Sequence, residues 1–173
     1  FSLYEWSIYQ SGSSVSLVYW NTSGGHTNGM DDSWGNVLTA NKWTHLVYTW
    51  DGSTSRFYAN GKIVKTKTAI DPSINMNRTN NMMFGGNIYT WGNTYFKGSI
   101  DEVKIYNYVR TAEQIKQDYA NHGSNINIGG TSTQTPIGNL VAYYKFDEVF
   151  GSVVNNSGSL GSIANGGLPS GTS

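Results

Sequence analysis

Short runs of alternating apolar and polar residues, separated by Gly, Asn and Asp, dominate the chain and predict strands rather than helices. Candidate strands cover residues 1–9, 15–20, 43–50, 55–59, 63–68, 82–85, 96–106 and 140–146. The sharpest local signal is Arg56-Phe57-Tyr58-Ala59, then Asn60-Gly61, then Lys62-Ile63-Val64. Asn-Gly accepts the positive φ angles of a type I′ turn, so a hairpin is expected there. Asp51-Gly52 after Trp50 makes a second turn, and residues 43–68 therefore read as a three-stranded antiparallel meander. One segment is helical: Thr111 caps a helix whose third residue is Gln114, and Ile115 and Tyr119 then share a face as far as Gly123.

Composition agrees with an all-β chain. The 173 residues include 21 Gly, 38% hydrophobic and 14% aromatic side chains, and only 13% charged ones. That is too aromatic for disorder and too weakly charged for a coiled coil. Eleven basic residues balance eleven acidic ones, which removes the field that a nucleic-acid or anionic-membrane partner would use. Cysteine is absent, and with it disulfides, thiolate metal sites and cysteine nucleophiles. The chain opens at Phe1 with neither Met nor a signal-like segment, so it is expected to be mature or cut from something longer. Residues 123–138 carry no charge and several Gly, the composition of a linker. The expected division is a sandwich over 1–122, a flexible linker over 123–138, and a further opening strand and turn over 139–173.

Phe1-Ser-Leu-Tyr-Glu-Trp6 reads as a strand ending in a core Trp; with Lys42–Gly52, Tyr58–Gly61 and Phe96–Asn107 it resembles the laminin-G-like, concanavalin A-like jelly rolls of secreted bacterial proteins. Lys42-Trp43-Thr-His45-Leu-Val-Tyr-Thr-Trp-Asp51-Gly52 with Tyr58-Ala-Asn60-Gly61 resembles the central meander. Phe96-Lys-Gly98-Ser-Ile-Asp101-Glu-Val-Lys-Ile-Tyr106-Asn107 resembles the closing strand, and Thr111-Ala-Glu-Gln-Ile115 the short terminal helix. The departure is at the ends. Leu140-Val-Ala-Tyr-Tyr-Lys-Phe146-Asp-Glu148-Val-Phe-Gly151 resembles the family's opening strand, yet it stands at the C-terminus. The chain thus resembles most of one domain joined to the start of the next. The fold implied is an antiparallel β-sandwich of jelly-roll type with one short helix, in an extracellular or cell-surface protein.

The candidate chemistry is binding rather than catalysis. Glucanases of this architecture carry Glu-x-Asp-x-x-Glu on one strand, a pattern absent here. Retaining hydrolysis needs two carboxyls about 5 Å apart, whereas Asp31-Asp32, Asp101-Glu102 and Asp147-Glu148 are sequence neighbours that point to opposite faces of a strand. His26, His45 and His122 have no partner at metal-ligand spacing and read as structural. Calcium takes carboxylate and carbonyl oxygens, and the resemblance implies a structural Ca²⁺ held by Asp101, Glu148 and the Gly151 carbonyl; the alternative is that both acids are solvated strand-end charges. Asp31-Asp32, in the loop 24–35, is a weaker second candidate beside an exposed turn. Sugar rings stack on exposed aromatic faces. Trp6, Trp43 and Trp50 belong to strand motifs and are expected in the core, while Trp34, Tyr89 and Trp91 lie in Gly/Asn-rich loops and read as either a polysaccharide platform or loop anchors, with Asn93, Asn87 and Asn36 nearby.

Two functions compete on this reading. One is a non-catalytic structural repeat that polymerises by donating its C-terminal strand to an identical subunit, the other a carbohydrate-binding or adhesion module. In the first, residues 140–146 fill the place of the missing opening strand, burying either Leu140, Ala142, Tyr144 and Phe146 or Val141 and Tyr143. A linker of about 16 residues extends to roughly 50 Å, enough for pairing within the chain or between chains.

Overall fold

The computed structural model describes residues 6–19, 32–68, 84–87, 94–121, 140–148 and 153–167. The fold is all-β and antiparallel with one short α-helix, a concanavalin A-like sandwich. It divides into two compact units, Phe1–Asn80 with Val109–Ile126, and Asn81–Tyr108 with Asn127–Ser173. No described helix is long and apolar enough to cross a membrane, which says nothing of strands.

In the first unit, β1 (Trp6–Ser11) and β2 (Ser14–Tyr19) form a hairpin, and β3 (Asp32–Asn36) adds to β2. A second sheet contains β4 (Leu46–Trp50), β5 (Thr54–Ala59) and β6 (Lys62–Thr68) in that order. This is the meander expected from the sequence. Asn60 and Gly61 both have positive φ, 50° and 74°, as a type I′ turn requires. At the other turn, Asp51 Oδ1 accepts hydrogen bonds from the Ser53 and Thr54 N–H groups, and its Oδ2 accepts from Arg56. These donors hold the Asp51 carboxyl well below the usual carboxylate range, the Arg56 guanidinium most of all.

The two sheets bury one core. Val15 and Leu17 of β2, Trp34 of β3 and Phe57 of β5 form it, with Leu46, Tyr48 and Trp50 of β4 packed alongside. The helix α1 (Ala112–Ala120) begins as expected, with a reciprocal capping box between Thr111 and Gln114. It buries Ile115 and rests on the tip of the β5–β6 hairpin. A Cβ on Gly61 would lie 3.2 Å from two Tyr119 atoms, so the glycine serves both the turn and this close approach. His45 stacks on Tyr119, their ring centroids 6.0 Å apart, and its N–H donates to Asn60 Oδ1. Those contacts give His45 a packing role. The guanidinium of Arg110, just ahead of the helix, donates to both oxygens of Asp118. His26 and His122 lie outside the described residues.

In the second unit, β7 (Gly86–Asn87) pairs with β8 (Thr94–Tyr95), β9 (Val103–Tyr106) with β10 (Leu140–Tyr144), and β11 (Val153–Val154) with β12 (Gly166–Gly167). Ala142, Tyr144 and Val154 form its buried hydrophobic cluster among the described residues, and Phe84, Val103, Ile105 and Phe146 pack against them. The Phe84 ring lies 5.0 Å from Tyr144 and 5.4 Å from Phe146, centroid to centroid. Of the set Leu140, Ala142, Tyr144 and Phe146 expected from alternation, the last three face the core, whereas a bulge between Leu140 and Ala142 breaks the alternation and leaves Leu140 outside it.

Several expectations are corrected. The strand expected over 96–106 starts only at Val103: residues 96–102 are irregular, and Glu102 adopts φ 55°. Strand β3 occupies part of what reads as a loop over 24–35. Of the two pairings left open for residues 140–146, within the chain or between chains, β10 makes the first, with β9, and shares its core. The expected linker falls outside the described residues, as does Asp31.

Candidate functional site

Two tryptophans exchange the roles that the sequence suggests for them. Trp34, expected on a loop, lies in β3 and is 4% exposed. Val15 pairs with Gly35 and Ser16 with Ser33, so Trp34 is the extra residue of a bulge. Such a bulge turns its side chain out of simple alternation. Its ring meets Phe57 edge to face, with centroids 4.6 Å apart, and its Nε1–H donates to the Tyr58 carbonyl at 3.1 Å. No face of that indole is left for a sugar, so Trp34 is a core residue and not part of a platform.

Trp43, expected in the core, is 69% exposed. The strand foreseen from residue 43 begins only at Leu46, and Trp43 follows a tight turn in which the Lys42 N–H donates to the Thr39 carbonyl. Asn41 sits in the left-handed region there, φ 59°. Asn41, Lys42 and Trp43 are all exposed. This turn therefore offers a large aromatic surface with an amide and an ammonium beside it in sequence. A segment that is strand-like by composition concealed it; the turn residues 39–42 are the signal that could have revealed it.

In the second unit, the face of β9–β10 turned away from the core carries a polar aromatic cluster. Tyr143 lies opposite Lys104 in the register. Its hydroxyl donates to Glu102 Oε2 at 2.6 Å, and Lys104 Nζ contacts the same oxygen at 2.9 Å. Lys104 Nζ also stands 4.6 Å from the Tyr143 ring centroid, and Lys145 Nζ 5.7 Å. Burial, the hydrogen bond to Glu102 and the charges of Glu102, Asp101 and Asp147 push the phenol well above its usual range. The positive φ of Glu102 brings its carboxylate back onto this network, whose members satisfy one another.

Of the residues proposed for calcium, Asp101 Oδ1 accepts from the Glu102 N–H at 2.8 Å, and Glu148 Oε1 accepts from the Asn155 N–H at 2.8 Å. The Asn155 N–H is the main cause lowering the Glu148 carboxyl below its ordinary range. Gly151 lies outside the described residues. Among the described residues no group of three His, Cys, Asp or Glu side chains is placed to hold a metal. Tyr89, Trp91 and Asn93 lie outside the described residues, Asn87 is in β7, and Asn36 accepts a hydrogen bond from Ser13 Oγ at 3.1 Å.

Comparison with known proteins matches residues 3–116 to a family described as the concanavalin A-like lectin/glucanases superfamily. No curated protein matches the chain. Among solved structures, an S-layer domain-containing protein from Clostridium thermocellum ATCC 27405 (residues 221–444) is 23% identical, with a TM-score of 0.43. The match covers 61% of this chain and 51% of that one, so the chain spans about half the length of that structure.

Proposed function

Since the chain belongs to the concanavalin A-like lectin/glucanases superfamily, we propose that it is a non-catalytic, extracellular module that binds polysaccharide against Trp43. The observation that carries this reading is the 69% exposure of that indole, the largest exposure among the described large hydrophobic residues. Aromatic rings carry a large apolar surface and a polar edge, which suits the alternating apolar and hydroxyl-bearing surfaces of a sugar. Asn41 and Lys42, exposed beside it, supply donors for hydroxyl groups.

The non-catalytic part of the reading is supported by the carboxylates. Glu102 is committed to Tyr143 and Lys104, and Glu148 to the Asn155 backbone. The Glu-x-Asp-x-x-Glu run of glucanases of this architecture is absent from the sequence, which supports the same reading. Placement outside the cell rests on the resemblance to domains of secreted bacterial proteins. The competing role, a repeat that polymerises by strand donation, has β10 engaged within its own chain against it.

The test is intrinsic fluorescence and affinity electrophoresis against a panel of β-glucans and related polysaccharides. Trp43→Ala is expected to abolish binding while the melting temperature stays unchanged. Absence of binding across a broad glycan array, or undiminished binding by Trp43→Ala, overturns the reading. If Trp91→Ala removes binding and Trp43→Ala does not, the platform is the loop read from the sequence and not this turn.

A further inference from the structure

Strand β10 reads Leu-Val-Ala-Tyr-Tyr, uncharged and composed mainly of residues that favour sheets. A strand of that kind with a bare edge is a template for another chain. One edge of β10 lies on β9. The other is covered by a segment that is not a regular strand. The Tyr143 N–H donates to the side-chain Oδ1 of Asn156 at 2.7 Å, and the Tyr143 carbonyl accepts from the Ser157 N–H at 2.8 Å. The carbonyls of Leu140 and Val141 accept from the N–H groups of Ser159, at 3.0 Å, and Leu160, at 3.1 Å. The Asn156 amide thus stands where the carbonyl of a neighbouring strand would be.

That amide is buried and fixed. Its Oδ1 also accepts from the Gly158 N–H at 2.9 Å, its Nδ2 donates to the Gly161 carbonyl at 3.0 Å, and its own N–H donates to Asn165 Oδ1 at 2.8 Å. Gly158 lets the segment come this close. A Cβ there would lie 2.6 Å from the Val141 carbonyl oxygen and 2.7 Å from the Ala142 N and Cα. Those are backbone atoms that cannot swing aside, so any side chain at 158 must lift the segment from the strand.

We propose that residues 155–165 are an intramolecular edge cap, and that the edge they cover, once bared, pairs with β10 of a second copy of this chain. The occupant is argued from the strand itself. It carries no charge to repel its own copy, and an antiparallel β10–β10 pair is isologous, so the assembly closes at a dimer rather than growing. The cap prevails in the intact chain because it is tethered, at an effective concentration in the millimolar range. This inference does not depend on the sugar reading, which concerns the other unit.

The experiment uses the full chain. Mass is measured by light scattering from micromolar to near-millimolar concentration for wild type, Gly158→Val and the milder Asn156→Ala, with circular dichroism to confirm folding. Wild type is expected to keep a monomer mass throughout. Both variants are expected to double in mass with concentration, with faster hydrogen exchange at the N–H groups of Tyr143, Ser157, Ser159 and Leu160 in the dilute monomer. Val141→Lys added to Gly158→Val puts a cation on each copy at the paired edge and is expected to restore the monomer. Folded variants that stay monomeric at every concentration overturn the proposal, as does a dimer that Val141→Lys leaves intact. Loss of the fold in both variants also overturns it, because the segment would then be part of the core and not a cap.

Discussion

Truncating the two exchanged tryptophans separates their roles by stability alone. Trp34→Ala removes a side chain that is 4% exposed, and Trp→Ala in a core costs about 3–5 kcal/mol through lost burial and the cavity left behind. Two further losses push toward the upper end. The edge-to-face contact with Phe57 is worth about 0.5–1.5 kcal/mol beyond its area. The Tyr58 carbonyl loses its indole donor, at a cost of about 1–3 kcal/mol if no water replaces it. Part of this overlaps with the cavity cost, so the expected loss is about 4 kcal/mol. Trp43→Ala, at 69% exposure, is expected within about 0.5 kcal/mol of wild type. Urea unfolding followed by circular dichroism reads both. With a slope of about 2 kcal/mol per molar, Trp34→Ala moves the midpoint down by about 2 M and Trp43→Ala scarcely at all. Trp34→Phe keeps most of the apolar contact and loses only the donor, so it falls between them. A cost below about 1 kcal/mol for Trp34→Ala, or above about 2 kcal/mol for Trp43→Ala, refutes the assignment.

Three other outcomes follow from the same contacts. The raised phenol of Tyr143 favours the protonated folded state, so its contribution is fully present below pH 10 and is lost as pH rises through the folded value; the stability gap between wild type and Tyr143→Phe should narrow in alkaline urea titrations, and a constant gap counts against the Glu102 hydrogen bond. Asp118→Ala leaves the Arg110 guanidinium buried without its carboxylate, for an expected loss of about 3–5 kcal/mol in thermal or urea unfolding, whereas a change under about 1 kcal/mol would show that the pair contributes little. If calcium is held by Asp101, Glu148 and the Gly151 carbonyl, millimolar Ca²⁺ raises the melting temperature and Asp101→Ala removes the response; a melting curve indifferent to both Ca²⁺ and a chelator refutes that site.

What the sequence made legible was local. Asn60-Gly61 needs only its own backbone preferences to form a type I′ turn, and Thr111 and Gln114 need only each other to form a capping box. Both are found where expected, with β4, β5 and β6 around the first. Trp34 was illegible because its place depends on a register shift between Val15 and Ser16, in a strand some twenty positions earlier. Nothing in Asp-Ser-Trp-Gly-Asn announces that shift, and Gly and Asn there look like loop composition. Trp43 erred the other way: the apolar run from 43 to 50 hid a turn that ends just before it.

The terminal strand shows where local information stops and tertiary information begins. A period of two dictates that Ala142 and Tyr144 share one face of β10 and that Val141 and Tyr143 fall outside that set, so the sequence leaves only two orientations open. It contains no reason to prefer either. The choice comes from residues far along the chain, since Phe84, Val103 and Ile105 present an apolar surface that takes up Ala142 and Tyr144. On the other side Tyr143 finds Glu102, 41 positions away, and Lys104. Reversing the strand would exchange one tyrosine for the other in the core and take the Tyr143 hydroxyl away from the Glu102 carboxylate. A hydrogen bond to a charged group is worth about 1.5–3 kcal/mol, enough to decide between two orientations that each bury one tyrosine.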